Sequence, residues 1–243
     1  MNLKTIFLFT VGIMWLSIQT HAQVEVSFAA GLNMANWPGE DDVIISNAGS
    51  LNIDELIGGG RVDVQNVENK SRFAPKFGVK LDYQLNERWT AESGLFYSPQ
   101  GDRIEGNATV TVLGVERPTE YVAKSETDYL TLPLKANYAL NDTFSLFFGP
   151  QVGYRFSGST GKTEGYFPVT DETLEFEENI DDRLKDIDFG GLGGIQAEFN
   201  KGFGIYAEHY LGASQIPVED RKLHNSVTSL QLFYRFTKAQ HED

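Results

Sequence analysis

Between Phe144 and Phe156 the chain reads FSLFFGPQVGYRF. Alternate positions are Phe, Leu, Phe, Pro, Val, Tyr and Phe, and the positions between them are small, polar or basic. This period of two belongs to a β-strand with one apolar face. It recurs over eight stretches: 24–35, 73–85, 89–99, 130–140, 144–156, 187–199, 203–211 and 228–236. No Asp, Glu, Lys or Arg stands on any of the eight apolar faces. The charges fall on the opposite faces, at Glu25, Lys76, Lys80, Asp82, Glu92, Lys135, Arg155, Asp188, Glu198, Glu208 and Arg235. A soluble sandwich would alternate in the same way, so the faces alone leave two architectures open.

The connections separate them. NER joins Leu85 to Trp89, NDT joins Leu140 to Phe144, and NKG joins Phe199 to Phe203. Each is a tight turn led by Asn, which bonds its own backbone two or three residues on. The other four links are long, at about 36–72, 100–127, 157–186 and 212–227, and long and short alternate strictly. The pattern predicts an all-β fold: an eight-stranded antiparallel up-and-down transmembrane β-barrel with short periplasmic turns and four long extracellular loops. Strands of nine to thirteen residues suit a tilted crossing, which needs roughly 9–11. Lys or Arg at the lipid midplane costs about 2–4 kcal/mol, which explains the uncharged faces. Tyr83, Trp89, Tyr97, Tyr138, Tyr154 and Tyr234 sit near strand ends, where interfacial girdles belong. A barrel of this size has room inside only for side chains. The five inward bases and six inward acids are expected to pair and fill the lumen.

The N-terminus fits this location. Lys4 precedes an apolar run from Ile6 to Ile18, and Thr20-His21-Ala22 offers small residues for cleavage. Residues 1–22 read as a secretory signal peptide, 23–237 as the barrel and 238–243 as a C-terminal tail. The apolar run is shorter than the roughly 20 residues of a spanning helix. With no cysteine, neither a lipid anchor nor a disulfide framework is available. A formal charge of −14 disfavours nucleic acid as a partner. Outer-membrane lipid and an envelope protein are the partners expected.

The segment DYLTLPLKANYALNDTFSLFFGPQVGYRF (128–156) resembles the PorT-like outer-membrane β-barrel family of the Bacteroidota. There a "YLxxPL" strand, a short turn and a "GPQxGY" strand follow in this order. FGVKLDYQLNERWTAESGLFYSPQG (77–101) and SVTSLQLFYRF (226–236) are similar to its second, third and last strands. The resemblance implies the barrel and the outer membrane; some members serve secretion or gliding machinery. One departure is the tail TKAQHED after Phe236, where such barrels usually end on an aromatic residue.

Motifs that could carry chemistry lack their context. GSTGKT (158–163) has Phe156 where a phosphate loop needs glycine, and no helix follows. GGLGG (190–194) continues a strand, so its glycines are expected to permit curvature and make room for Tyr206 or Arg235. The acidic run 171–186 lacks calcium-loop spacing and reads as a solvated, partly helical loop. His224 and Ser226, two apart on one strand face, resemble the pair used by lipid A deacylases. No acid follows Ser226 before Glu242 to orient the imidazole. Four histidines in all, two of them in the leader and tail, leave no multi-histidine metal centre. No cofactor is expected. The function expected is structural or interactive, through the loops or as a subunit of an envelope assembly. A small lipid hydrolase and a narrow channel are the alternatives.

Overall fold

The computed structural model describes residues 24–38, 61–112, 114–167, 172–180, 184–199, 202–213, 216–218 and 221–236. The leader 1–22 and the tail 238–243 lie outside the described residues. Thirteen strands are present there: β1 (Val24–Asn36), β2 (Arg61–Lys70), β3 (Arg72–Gln84), β4 (Trp89–Val112), β5 (Val115–Ala139), β6 (Phe144–Arg155), β7 (Thr160–Phe167), β8 (Glu172–Asn179), β9 (Ile187–Glu198), β10 (Phe203–Gly212), β11 (Ile216–Val218), β12 (Arg221–Leu223) and β13 (Ser226–Phe236). Eight of them close a ring in the order β1-β3-β4-β5-β6-β9-β10-β13, with β13 pairing back onto β1 and every pair antiparallel. These are the eight strands that the alternation predicts. Closure leaves no free edge within the ring.

The three short turns repeat one design. Leu85, Leu140 and Phe199 each donate their amide to the carbonyl of the residue four on, at 2.9, 2.9 and 2.7 Å. The Asn86 Oδ1 accepts from the amides of Arg88 and Trp89 at 2.9 and 3.0 Å. Asn141 does the same for Thr143 and Phe144 at 2.9 and 2.8 Å. Both asparagines thereby satisfy amides that no strand partner could reach.

All four long links carry strand where loops were expected. Residues 100–127 are strand almost throughout, because β4 and β5 run on past the ring and stay paired to a tight turn between Val112 and Val115. The 36–72 link contributes β2, which pairs with the upper half of β4. The 157–186 link contributes β7 and β8, which extend the sheet from β5. The acidic run 171–186, expected as partly helical, is therefore strand over 172–179; among the described residues there is no helix. Strand pairing with β7 satisfies its backbone and leaves Glu175 and Glu177 in solvent. The result is a five-stranded sheet, β2-β4-β5-β7-β8, standing on one side of the barrel. The last link forms the small hairpin β11–β12.

The outer surface carries a continuous exposed apolar belt that includes Phe28, Phe77, Leu132, Phe148, Phe189 and Leu232. Such a belt is stable only against lipid. Aromatic pairs border it: Trp89 with Tyr138 at 5.0 Å between ring centres near the short turns, and Phe77 with Tyr97 at 5.0 Å toward the other end. His209 stands on this outer face as expected, its Nδ1 2.9 Å from Thr228 Oγ1 on the neighbouring strand.

Candidate functional site

Inward-facing side chains fill the ring in layers. At its centre Lys135 Nζ lies 2.9 Å from Glu92 Oε1 and 2.9 Å from Glu208 Oε2. Glu208 also accepts from Lys76 at 2.5 Å, and Glu92 from Lys80 at 3.0 Å. Lys80 reaches Asp82 at 3.2 Å. Arg235 continues the chain toward the short-turn end, 3.9 Å from Asp82, 2.8 Å from Glu198 and 2.9 Å from Glu25. Nine of the eleven inward charges thus form one connected network. Its six central members, three lysines and three acids, are all buried. A charge taken from water is tolerable only when it is paired and hydrogen-bonded. Each of these has at least one opposite charge within 3.2 Å.

Asp188 and Arg155 lie apart, at the opposite mouth. Asp188 Oδ2 accepts from Tyr210 at 2.9 Å and from Asn225 at 2.8 Å. Asn225 in turn accepts from Trp37 Nε1 at 2.7 Å. Arg155 pairs with Asp186 at 2.7 Å. Between the two mouths an amide-and-hydroxyl layer crosses the lumen. There Asn33 donates to Ser98 at 2.9 Å and accepts from Ser229 at 2.7 Å.

The charges are not the whole filling. Phe96, Phe147, Tyr206 and Phe233 also point inward and are at most 3% exposed. Lysine ammoniums lie over their faces: Lys80 4.5 Å from the centre of Phe233, Lys135 4.6 Å from Phe147 and 4.8 Å from Tyr206. The rings strengthen the charged layer and close the space that point charges would leave. Three rings stand directly opposite a glycine on the next strand: Phe96 opposite Gly78, Phe147 opposite Gly194, and Phe233 opposite Gly204. A Cβ on Gly194 would sit 2.5 Å from the Phe147 ring and 2.2 Å from the Ala207 carbonyl oxygen. The GGLGG glycine that makes room for a ring therefore serves Phe147, rather than Tyr206 or Arg235 as expected. The signal was in the sequence, since these aromatics occupy inward positions of the alternation.

The other sequence candidates are placed as follows. His224 precedes β13 and Ser226 is its first residue, so the two do not share a strand face as expected. Among the described residues no hydrogen bond joins them, and the Nδ1 of His224 is buried without a partner. GSTGKT runs from a bend into β7, with Ser159 accepting from Thr127 at 3.0 Å. Among the described residues no group of three or more His, Cys, Asp or Glu is placed to hold a metal ion.

Beyond the ring, the outward face of the extension changes from apolar to charged. Lys70 pairs with Glu105 at 2.5 Å, Arg103 with Glu105 at 2.6 Å and Lys124 with Glu164 at 3.2 Å. The hydrogen bond from Lys70 holds the Glu105 carboxyl below its usual range. On the inward face Asp102 is 1% exposed, and burial pushes its carboxyl up to about 6 against the opposing hydrogen bond from Ser125.

A closed eight-stranded antiparallel barrel with an apolar belt, aromatic borders and a filled lumen defines a small outer-membrane barrel. The chain belongs to the outer membrane protein beta-barrel domain family, whose model matches residues 17–216. Among solved structures it is similar to Ail, the attachment invasion locus protein of Yersinia pestis. That match has 13% identity and a TM-score of 0.39, and covers 87% of this chain and 98% of the other. It is similar to OprG from Pseudomonas aeruginosa, with 12% identity, a TM-score of 0.38, and 90% and 99% covered. It is also similar to the E. coli outer membrane protein W, with 14% identity, a TM-score of 0.33, and 89% and 100% covered. No curated protein matches the chain.

Proposed function

We propose that the protein is a non-catalytic outer-membrane barrel that works through its surfaces, as a subunit or docking partner of an envelope assembly. The observation that carries this reading is the lumen filling: the network from Lys76 to Arg235 and the rings wedged against it. A barrel whose interior is occupied by its own side chains has its two ends left for function. One end presents the sheet β2-β4-β5-β7-β8, a rigid platform of the kind that positions recognition residues. Within the family, YLTLPL and GPQVGY on β5 and β6 favour the PorT-like barrels of the Bacteroidota, some of which serve secretion machinery. The test is the native size of the protein after brief cross-linking and extraction from its own membrane in mild detergent. A complex well above the size of the single chain supports the reading, and a clean monomer overturns it. Catalysis on lipid is tested separately with Ser226→Ala, which on this reading leaves lipid A acylation unchanged.

A further inference from the structure

The sheet standing on the barrel ends in two outer strands, β2 and β8, each with one neighbour among the described residues. An open edge invites pairing with another chain, and proteins ordinarily blunt it. The β2 edge is blunted: its register slips between Gln65 and Glu68, where Asn66 has a φ of 49°. The β8 edge is not. Its register with β7 runs unbroken from Glu172 to Asn179, and the strand holds no proline, glycine or lysine. Just past it, Ile180 donates its amide to the Ser159 carbonyl at 3.0 Å. Antiparallel pairing alternates from there, so the backbone groups of the even-numbered residues bond to β7. Those of Thr173, Glu175 and Glu177 face the open side.

The charges along this edge point to a cationic neighbour. Glu177 stands opposite Lys162 and lies 3.9 Å from its ammonium. Glu175, two residues back on the same face, stands opposite Glu164, which takes Lys124 at 3.2 Å. Like charges directly opposite each other on a sheet are destabilising. Glu175 is exposed and makes no ion pair among the described residues. A lysine or arginine on a further strand would supply the charge that β7 does not. The same glutamates disfavour a second copy of this chain, since two antiparallel β8 strands would set acid against acid.

Building on the assembly reading above, we infer that the β8 edge takes up an extended strand of a partner polypeptide, paired antiparallel and carrying Lys or Arg at alternate positions opposite Glu175 and Glu177. Main-chain hydrogen bonds to Thr173, Glu175 and Glu177 supply the affinity, and the alternate side chains supply the choice of partner. The cations sit on the residues whose amides face β8, because bonded pairs of an antiparallel ladder share one face. Both glutamates are in solvent, so the attraction falls as salt screens it.

The test uses the full-length protein in phosphatidylcholine nanodiscs at low salt, titrated with fluorescent acetyl-Thr-Lys-Thr-Lys-Thr-Lys-Thr-amide, with empty nanodiscs as the blank. Saturable binding is expected, together with slower hydrogen exchange at the Thr173, Glu175 and Glu177 amides. Methylating the three lysine backbone nitrogens removes the donors facing β8 and keeps the charge, so it should abolish binding. Methylating the threonine nitrogens, which face away, should not. Glu175→Lys turns the repulsive pair with Glu164 into an attractive one, so β8 stays folded while binding weakens roughly fivefold. Glu87→Gln with Asp142→Asn, in the short turns at the other end, should change nothing. No binding, equal binding of the lysine-methylated peptide, or undiminished affinity in Glu175→Lys overturns the edge site. A Glu-for-Lys peptide binding as tightly overturns the cationic partner. A failed titration leaves the cross-linking test standing, because a partner has other surfaces of the protein to dock on. A monomer in that test alongside intact peptide binding would sink the assembly reading alone.

Discussion

Lys76 Nζ lies 2.5 Å from Glu208 Oε1 across the lumen, joining β3 to β10 over a sequence separation of 132 residues. Neither side chain is more than 5% exposed. The pair clamps two ring strands that share no backbone hydrogen bonds, so it reports on closure rather than on any one hairpin. Removing one partner of a buried pair leaves an uncompensated charge, at a cost of about 3–5 kcal/mol. Glu208→Gln strands Lys76 and leaves Lys135 with Glu92 alone, and should lose stability in that range. Combining it with Lys76→Met should cost less than the two single changes added together. Urea unfolding in lipid vesicles, followed by Trp37 and Trp89 fluorescence, measures both. A loss under about 1 kcal/mol would mean that water reaches the pair.

The GGLGG segment holds an internal control. A Cβ on Gly194 collides with the Ala207 carbonyl oxygen at 2.2 Å, whereas a Cβ on Gly191 meets nothing within 4 Å and points at lipid. Gly194→Val should expel the Phe147 ring and cost about 1–3 kcal/mol or more. Gly191→Val adds apolar surface toward lipid and removes backbone freedom from the unfolded chain, so it should be neutral or stabilising. The measurement is the fraction of each variant that keeps the compact, heat-modifiable form on a gel after folding in detergent. Equal behaviour of the two would reverse the assignment of faces.

The ring was legible because lipid imposes the most stringent condition a strand can meet. No charge is tolerated on one face over eight strands, and the three Asn-led turns fix the parity. The extension past the ring was not legible, because beyond Tyr97 and Leu130 both faces of β4 and β5 become polar or mixed. Arg103, Glu105 and Lys124 look like loop residues in sequence; pairing of β4 with β5, flanked by β2 and β7, makes them strand. The charge network was readable as a set of inward positions, but its pairing was not. Lys76 meets Glu208 rather than a nearer acid because ring closure, and not sequence distance, brings β3 and β10 together. The inward aromatics were missed for a different reason. Phe96, Phe147 and Phe233 read as ordinary strand hydrophobics until each is set opposite its glycine.

Conductance follows from the same filling. With Lys80, Glu92, Lys135 and Glu208 paired and Phe147, Tyr206 and Phe233 packed against them, no continuous water path should cross the ring. Purified protein in planar bilayers should show no unitary current steps. Phe147→Ala with Phe233→Ala deletes two rings from the central layer and should introduce small, noisy openings without abolishing the barrel. Steady single-channel currents from the native protein would overturn the filled-lumen reading and bring the narrow channel forward.

Asp102 gives the extracellular sheet a pH dependence whose sign is fixed by its burial. The residue is 1% exposed, and desolvation raises its carboxyl from an ordinary 3.8 to about 6, opposed by the hydrogen bond from Ser125. Below about pH 4 the group is protonated in both folded and unfolded chains and contributes no pH dependence. As pH rises from there to about 6, the unfolded chain releases its proton while the folded chain retains it, so stability falls. Above 6 the loss is complete, and a shift of about two pH units corresponds to about 3 kcal/mol. Asp102→Asn keeps a hydrogen-bonding side chain of the same shape without the ionisation. It should flatten this dependence and strengthen the β4–β5 hairpin at neutral pH. The opening free energy of the Ile104 and Ala123 amides, from hydrogen exchange corrected for intrinsic rates at pH 5 and pH 7, decides the matter. The native protein should lose protection at the higher pH and the variant should not. Identical profiles would place the Asp102 carboxyl in contact with water, and the inner face of the sheet would then be solvated.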